Sequence, residues 1–125
     1  MTTDTRPVLE RSRPPVSVLD FDTADLAQRF ADRLRDRVEE AWLFGSLAAG
    51  TAGPWSDVDL LLVTETAEPF VERPRAFADI REPGIPLDLL IYTPAEYADL
   101  PRTNPGFWKA FTAARRPLVT PSNPD

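Results

Sequence analysis

The chain has 125 residues, 42% of them hydrophobic, and a formal net charge of -6, so we expect one domain with an apolar core. It contains no cysteine and no histidine, which excludes a disulfide framework, zinc sites built on thiolate or imidazole, and the commonest general base. Any bound metal would be held by oxygen ligands, as Mg²⁺, Mn²⁺ and Ca²⁺ are.

The charge and the hydropathy pattern also limit which binding partners and which cellular location we expect for the protein. The acidic balance argues against binding long nucleic acid by bulk attraction. No apolar run approaches the roughly 20 residues of a membrane span, and the N-terminus lacks the apolar stretch of a signal peptide. We therefore expect a cytoplasmic protein without membrane contact. Residues 1–17, with three prolines, are predicted to form a flexible arm.

The first predicted element is a helix over residues 22–40. Asp22 or Thr23 can cap its N-terminus, and Asp25 favours the positive end of the helix dipole. Apolar side chains recur every four residues along it, at Leu26, Phe30, Leu34 and Val38, which is typical of a helix packed on a core.

Three apolar runs, at 41–44, 57–63 and 85–92, are predicted to be strands. Gly45 stops the first run. Between the second and third strands, residues 69–82 predict a broken helix, because Pro74 limits where a helix can start.

Two capping signals predict two short C-terminal helices. Thr93 begins a capping box with Glu96, and Asn104 is followed by Pro105 at a first helical position. The run from Arg115 to Pro117 is interpreted as the end of the second helix. Residues 120–125 are predicted to be a flexible tail, which leaves 18–119 as the domain.

Asp57 and Asp59 stand one residue apart at the start of the second predicted strand. Side chains two apart on a strand share a face, with Cβ atoms roughly 6–7 Å apart, so both carboxylates can reach one divalent cation or a pair of them. Asp88 lies inside the third strand and needs a partner. If that strand neighbours the second, all three carboxylates face one another. Gly45 and Ser46 end the first strand, and backbone N–H groups at such a turn can bind phosphate.

Simpler interpretations exist for each residue. Asp57 could cap a turn while Asp59 is exposed on an edge strand, Asp88 could pair with Arg81, and Ser46 could be ordinary turn chemistry. Trp55 could stack on a nucleobase or pack on a loop. Trp108 follows helical spacing with Phe107 and Phe111, which favours a core or interface position.

The order Gly45-Ser46, ten intervening residues, Asp57-Val58-Asp59-Leu60 and a later strand aspartate, Asp88, resembles the nucleotidyltransferase superfamily of the DNA polymerase β type. The length is similar to its minimal branch, the MNT proteins of HEPN/MNT toxin–antitoxin pairs. The resemblance implies an α/β (α+β) fold, a small mixed sheet with helices packed mainly on one face.

The same resemblance implies two Mg²⁺ (or Mn²⁺) ions and an NTP, with ATP expected. It assigns Asp57, Asp59 and Asp88 as metal ligands and catalytic residues, with Asp88 also activating the attacking hydroxyl, and Gly45 and Ser46 as contacts of the triphosphate. Ala49 stands where many minimal members carry a basic residue.

Three functions are then open. The first is transfer of a nucleoside monophosphate from an NTP to a hydroxyl, with a HEPN-type partner protein, an RNA end, a small molecule or another subunit of a homo-oligomer offering the acceptor. The second is a non-catalytic antitoxin that neutralises a HEPN ribonuclease by occlusion, which the alanine at position 49 favours. The third is nucleotidylation of an aminoglycoside, for which no substrate domain is visible.

Overall fold

The computed structural model of the chain describes residues 14–121. Most of the predicted arm (1–17) and of the predicted tail (120–125) lies outside this range, so the flexibility of those residues and the domain limits remain predictions. Ser17, at the end of the predicted arm, is 2% exposed. Within the described range, the elements in chain order are a 3-10 turn Val18–Asp20, α1 Thr23–Leu34, β1 Glu40–Phe44, α2 Gly45–Ala49, β2 Val58–Val63, a 3-10 segment Phe70–Ile80, β3 Leu87–Tyr92, α3 Pro94–Thr103, α4 Pro105–Ala113 and β4 Arg115–Val119.

The strands form one mixed sheet in the order β3-β2-β1-β4. β1 is antiparallel to both β2 and β4, whereas β2 and β3 are parallel. The mixed sheet and the three predicted strands are confirmed, with ends that differ by a residue or two. Because β2 and β3 are parallel neighbours, the starts of both strands lie at the same edge of the sheet.

The fourth strand, β4, was not predicted. The run after Ala114 was interpreted only as the end of a helix, but α4 ends at Ala113 and the chain continues as a strand over Arg115–Val119. Pro117 argued against a strand in the sequence, because proline has no backbone N–H to donate to a neighbouring strand and is rare in strands paired on both sides. Among the described strands β4 pairs only with β1 and lies at the edge of the sheet, and an edge is where a strand tolerates proline.

The first helix is shorter than predicted. The Asp22 cap is confirmed, because its side chain accepts hydrogen bonds from the backbone N–H groups of Ala24 and Asp25. The helix ends at Leu34 rather than at residue 40. Asp36, with a φ of 66°, adopts the left-handed conformation that reverses the chain. Val38 still packs against the core, which explains why its spacing resembled a longer helix.

The predicted broken helix is a 3-10 segment. Pro74 lies inside it and Phe77 interrupts it with non-helical backbone angles. Both predicted C-terminal caps are confirmed. Thr93 and Glu96 form the capping box of α3, and the Asn104 side chain accepts from the backbone N–H of Phe107 at the start of α4.

Apolar side chains cover both faces of the sheet. The larger cluster lies under α1, α2 and the 3-10 segment, and because α3 and α4 cover the other face, the helices are not packed mainly on one face as the resemblance implied. Its buried members are Val18, Leu26, Ala27, Phe30, Leu34, Ala41, Leu43, Leu47, Val58, Leu60, Leu62, Phe77, Ile80, Ile85 and Ile91. A smaller, aromatic-rich cluster joins α3 and α4 to part of the other face, around Leu61, Val63, Leu100 and Phe111. Within residues 14–121, no helix has the length and apolar character needed to cross a membrane.

Candidate functional site

Three carboxylates, those of Asp57, Asp59 and Asp88, meet at the edge where β2 and β3 begin; we call them the acidic ledge. Asp57 immediately precedes β2, and Asp59 and Asp88 are register partners on the two parallel strands. Each residue offers a carboxylate oxygen, and these three oxygens lie within 4.8 Å of one another. The convergence predicted from the sequence is therefore present.

The alternation of β2 explains why the ledge is held firmly. Val58, Leu60 and Leu62 point into the larger cluster and are fully buried. Asp59 takes the opposite face at the open end of the strand, where it is only partly buried. The strand backbone is thus anchored by apolar packing while its first carboxylates remain accessible to solvent.

The ledge concentrates negative charge. Burial, followed by the charges of Asp57 and Asp88, raises the pKa of Asp59 from 3.8 to about 6. In the part of the chain that the structure describes, no arginine or lysine forms an ion pair with the ledge, so the alternative pairing of Asp88 with Arg81 is not found. A cation bound between these carboxylates would relieve their repulsion.

Gly45 and Ser46 begin α2 directly beside the ledge, because Phe44 at the end of β1 is the register partner of Asp59. Gly45 has a φ of 74°, and a β-carbon added there would overlap the Asp59 carboxylate. From the sequence, Gly45 was expected to allow close approach of a ligand; the structure adds that it also allows close approach of Asp59. No hydrogen bond of the Ser46 hydroxyl is found among residues 14–121.

The other singled-out residues differ in their surroundings. Ala49 is exposed at the end of α2. Trp55, in the loop before Asp57, is 64% exposed. Trp108 belongs to the smaller cluster, where its ring meets that of Tyr97 edge-on with centroids 5.4 Å apart. Trp108 is only partly buried there, so its packing is compatible with both predicted positions, core and interface.

The donor set of the ledge suits a hard divalent cation. All three side chains supply carboxylate oxygens, which Mg²⁺ and Mn²⁺ prefer, and Mg²⁺ is commonly bound by one or two carboxylates together with substrate phosphates. The spacing of the ledge oxygens, within 4.8 Å, permits more than one of them to reach the same ion. The residues present therefore fit the metal that the sequence resemblance implied.

A comparison with protein families decides the class. The sequence profile described as "Nucleotidyltransferase domain" matches residues 25–104. The chain belongs to this nucleotidyltransferase family. The matched range contains Gly45, Ser46 and the whole acidic ledge, so the family resemblance seen in the sequence is confirmed. A search of curated proteins finds no match.

A solved structure supports the same fold for this nucleotidyltransferase domain. A toxin–antitoxin structure with AMP-PNP has a TM-score of 0.51 and 18% identity, over 75% of this chain and 73% of that one. A proposed nucleotidyltransferase from Sulfolobus solfataricus has a TM-score of 0.48 and 18% identity, over 61% of this chain and 74% of that one. At 18% identity, the likeness to the toxin–antitoxin structure concerns the fold alone.

Proposed function

We propose that the protein is a metal-dependent nucleotidyltransferase that moves a nucleoside monophosphate from an NTP, with ATP as the expected donor, to a hydroxyl acceptor. The observation that carries the proposal is the acidic ledge, whose three carboxylate oxygens lie within 4.8 Å of one another. Three charges brought this close, without a paired arginine or lysine in the described chain, favour a cation as their natural partner.

In this proposal Asp57, Asp59 and Asp88 hold Mg²⁺ or Mn²⁺. Bound there, the metal would lower the pKa of the acceptor hydroxyl and stabilise charge on the phosphates. Asp59 is the most constrained of the three, because Gly45 lies against its carboxylate and β2 is buried on its other face. As a ligand it would therefore hold the metal at a fixed place on the sheet.

Asp88 is the exposed member of the ledge, so it has room for an acceptor from outside. Its carboxylate takes the proton of the acceptor hydroxyl. The hydroxyl oxygen forms a bond to the α-phosphorus, the bond from that phosphorus to the β-phosphate oxygen breaks, and pyrophosphate leaves.

Gly45 and Ser46 contact the triphosphate in this proposal. The first backbone N–H groups of α2 have no acceptor within the helix, so they can donate to phosphate oxygens. The Ser46 hydroxyl adds a further donor. These groups lie next to Asp59, so phosphates and metal would share one place.

The proposed acceptor is a HEPN-type toxin partner. The similar toxin–antitoxin fold with AMP-PNP supports both a protein partner and ATP, since AMP-PNP is an ATP analogue. We also propose that the acceptor hydroxyl comes from such a partner or from another subunit of a homo-oligomer.

Ala49 favours a second candidate function, a non-catalytic antitoxin that occludes a HEPN ribonuclease. It is exposed on α2, the helix that begins at the ledge, and it brings no charge to steady a triphosphate. The intact ledge favours the enzyme.

The deciding experiment combines the chain, labelled ATP, Mg²⁺ and the protein encoded by the neighbouring gene, which should be small and helical with an Arg-x(4–6)-His motif. We expect label on that partner with the wild type and none with Asp57→Asn/Asp59→Asn. Asp36→Asn is the matched control, because Asp36 is exposed and has a φ of 66° that asparagine tolerates. Suppression of toxicity without any label would favour the occluding antitoxin.

A further inference from the structure

A tight turn leads directly into the acidic ledge. Residues 53–56 form it: the backbone N–H of Ser56 donates to the carbonyl of Gly53 at 3.1 Å, and the backbone N–H of Gly53 donates to Oγ of Ser56 at 2.8 Å. Asp57 follows at once. Any movement of this turn would therefore change where the Asp57 carboxylate lies.

A second turn, residues 82–85, precedes the strand that carries Asp88. The backbone N–H of Ile85 donates to the carbonyl of Glu82 at 3.1 Å, and Gly84 has the positive φ, 80°, that a type II turn requires after proline. The chain segments that follow the two turns are joined, because the backbone N–H of Val58 donates to the carbonyl of Pro86 at 2.9 Å.

One short segment, residues 16–18, contacts both turns. Ser17 Oγ donates to the carbonyl of Pro54, in the first turn, at 2.7 Å. The Val16 side chain covers the second turn so closely that a β-carbon on Gly84 would lie 2.9 Å from the Val16 Cβ. Val18 is anchored in the larger cluster, with 1% of its surface exposed.

The hydrogen bonds around Ser17 orient its hydroxyl group so that the proton points to the carbonyl of Pro54 in the first turn. Oγ accepts from the backbone N–H of Leu19 at 3.1 Å, and the Ser17 N–H donates to Oδ2 of Asp20 at 2.8 Å. Ser17 is 2% exposed, so water cannot easily replace its hydroxyl. Without that hydroxyl, the carbonyl of Pro54, which is 37 residues further along the chain, loses this hydrogen-bond donor.

We propose that Ser17 is a positioning residue for the acidic ledge: its hydrogen bond to Pro54 holds the turn that presents Asp57. The proposal rests on the proposed function, because it assumes that the ledge binds a divalent cation. Ser17 touches neither metal nor nucleotide and acts through the turn. Its loss should therefore weaken metal binding beyond what any loss of stability explains.

The test measures Mn²⁺ alone, by electron paramagnetic resonance titration of the full chain. The variants are Ser17→Ala, Ser17→Thr, which keeps the hydroxyl, and Thr93→Ala. Thr93→Ala is the matched control, because it also removes the hydroxyl of a capping box, but on α3. All titrations are made at a temperature where melts show each variant to be folded.

We expect Ser17→Ala to raise the Mn²⁺ dissociation constant about tenfold, the low end of losses seen when groups that orient metal ligands are removed. Ser17→Thr should restore most of the affinity, and Thr93→Ala should bind as the wild type does. Equal affinity of Ser17→Ala and wild type would overturn this inference alone. So would equal weakening by Ser17→Ala and Thr93→Ala. A wild type that binds no Mn²⁺ would overturn both this inference and the proposed function.

Discussion

Gly45 lies so close to Asp59 that a β-carbon on the glycine would overlap the aspartate's carboxylate. The backbone that begins α2 and the side chain that centres the acidic ledge therefore occupy neighbouring space with no room between them. Because Gly45 also has a φ of 74°, it meets two requirements at once, a left-handed backbone and the absence of a side chain.

This contact predicts that Gly45→Ala damages both fold and site. The left-handed backbone alone costs about 1–2 kcal/mol for a residue with a β-carbon, and the overlap with Asp59 adds to it. We expect a lower melting temperature and loss of stabilisation by Mg²⁺ plus ATP. Gly50→Ala is the control, because Gly50 also has a positive φ, 78°, but a β-carbon there meets nothing within 4 Å. If the two variants melt alike, the contact has no energetic importance.

The raised pKa of Asp59 predicts how metal-free stability depends on pH. This pKa is 3.8 in the unfolded chain and about 6 in the fold, so the folded chain binds more protons between these values and stability falls as pH rises through that window. Above about pH 6, Asp59 is ionised in both the folded and the unfolded chain, and its full destabilising effect on the fold is present. Water screens this partly exposed carboxylate, which reduces the effect of its charge. Near pH 8 we therefore expect the free energy of unfolding of metal-free Asp59→Asn to be about 1 kcal/mol higher than that of the wild type.

The same difference should nearly vanish at about pH 3.5, where Asp59 is fully protonated in the folded state and mostly protonated in the unfolded one. The measurement is urea unfolding in the presence of EDTA at both pH values. A stability difference that does not change with pH would mean that Asp59→Asn acts through packing rather than through charge.

Metal and nucleotide together should stabilise the wild type. A ligand that binds only the folded state contributes about 2.7 kcal/mol at a hundredfold excess over its dissociation constant. A thermal melt should therefore rise with Mg²⁺ plus ATP in the wild type and stay unchanged in Asp57→Asn/Asp59→Asn. An equal rise in both proteins would place the ligand away from the acidic ledge.

Asp88→Asn should separate binding from transfer. If Asp88 takes the acceptor proton, its contribution appears mainly in the transition state, and its loss lowers kcat more than it raises KM for the nucleotide. We expect this variant to keep most ATP affinity and lose nearly all transfer to the partner, whereas Asp59→Asn should lose both. If Asp88→Asn loses ATP affinity as completely as Asp59→Asn, Asp88 acts as a metal ligand only.

Ala49→Arg should strengthen nucleotide binding by about 1 kcal/mol, the usual net contribution of one hydrogen bond. Ala49 is exposed on α2, near the proposed triphosphate contacts. Ala95→Arg is the control, since it adds the same charge on the exposed surface of α3. Equal gains in both variants would indicate general attraction. No gain, with tight binding by the wild type, would mean that another group already supplies the charge.

Local patterns were enough to predict much of this fold. The caps of α1, α3 and α4 rest on Asp22, Thr93 and Asn104, whose side chains bond backbone groups only two or three residues away. Such interactions depend on neighbours in the sequence, which is why the sequence reveals them. β4 was missed for the opposite reason. Its pairing with β1 joins distant parts of the chain, and this pairing outweighs the low strand propensity of Pro117.

For the acidic ledge, the sequence by itself determined that oxygen ligands alone are available, and that Asp57 and Asp59 share a strand face, since alternation is a local property of the backbone. Only the tertiary structure decided that β3 is the parallel neighbour of β2, which brings Asp88 beside Asp59. It also decided that Gly45 lies against Asp59 and that Ser17 bonds Pro54. These contacts depend on how separate elements pack in three dimensions, and no pattern of neighbouring residues encodes that packing.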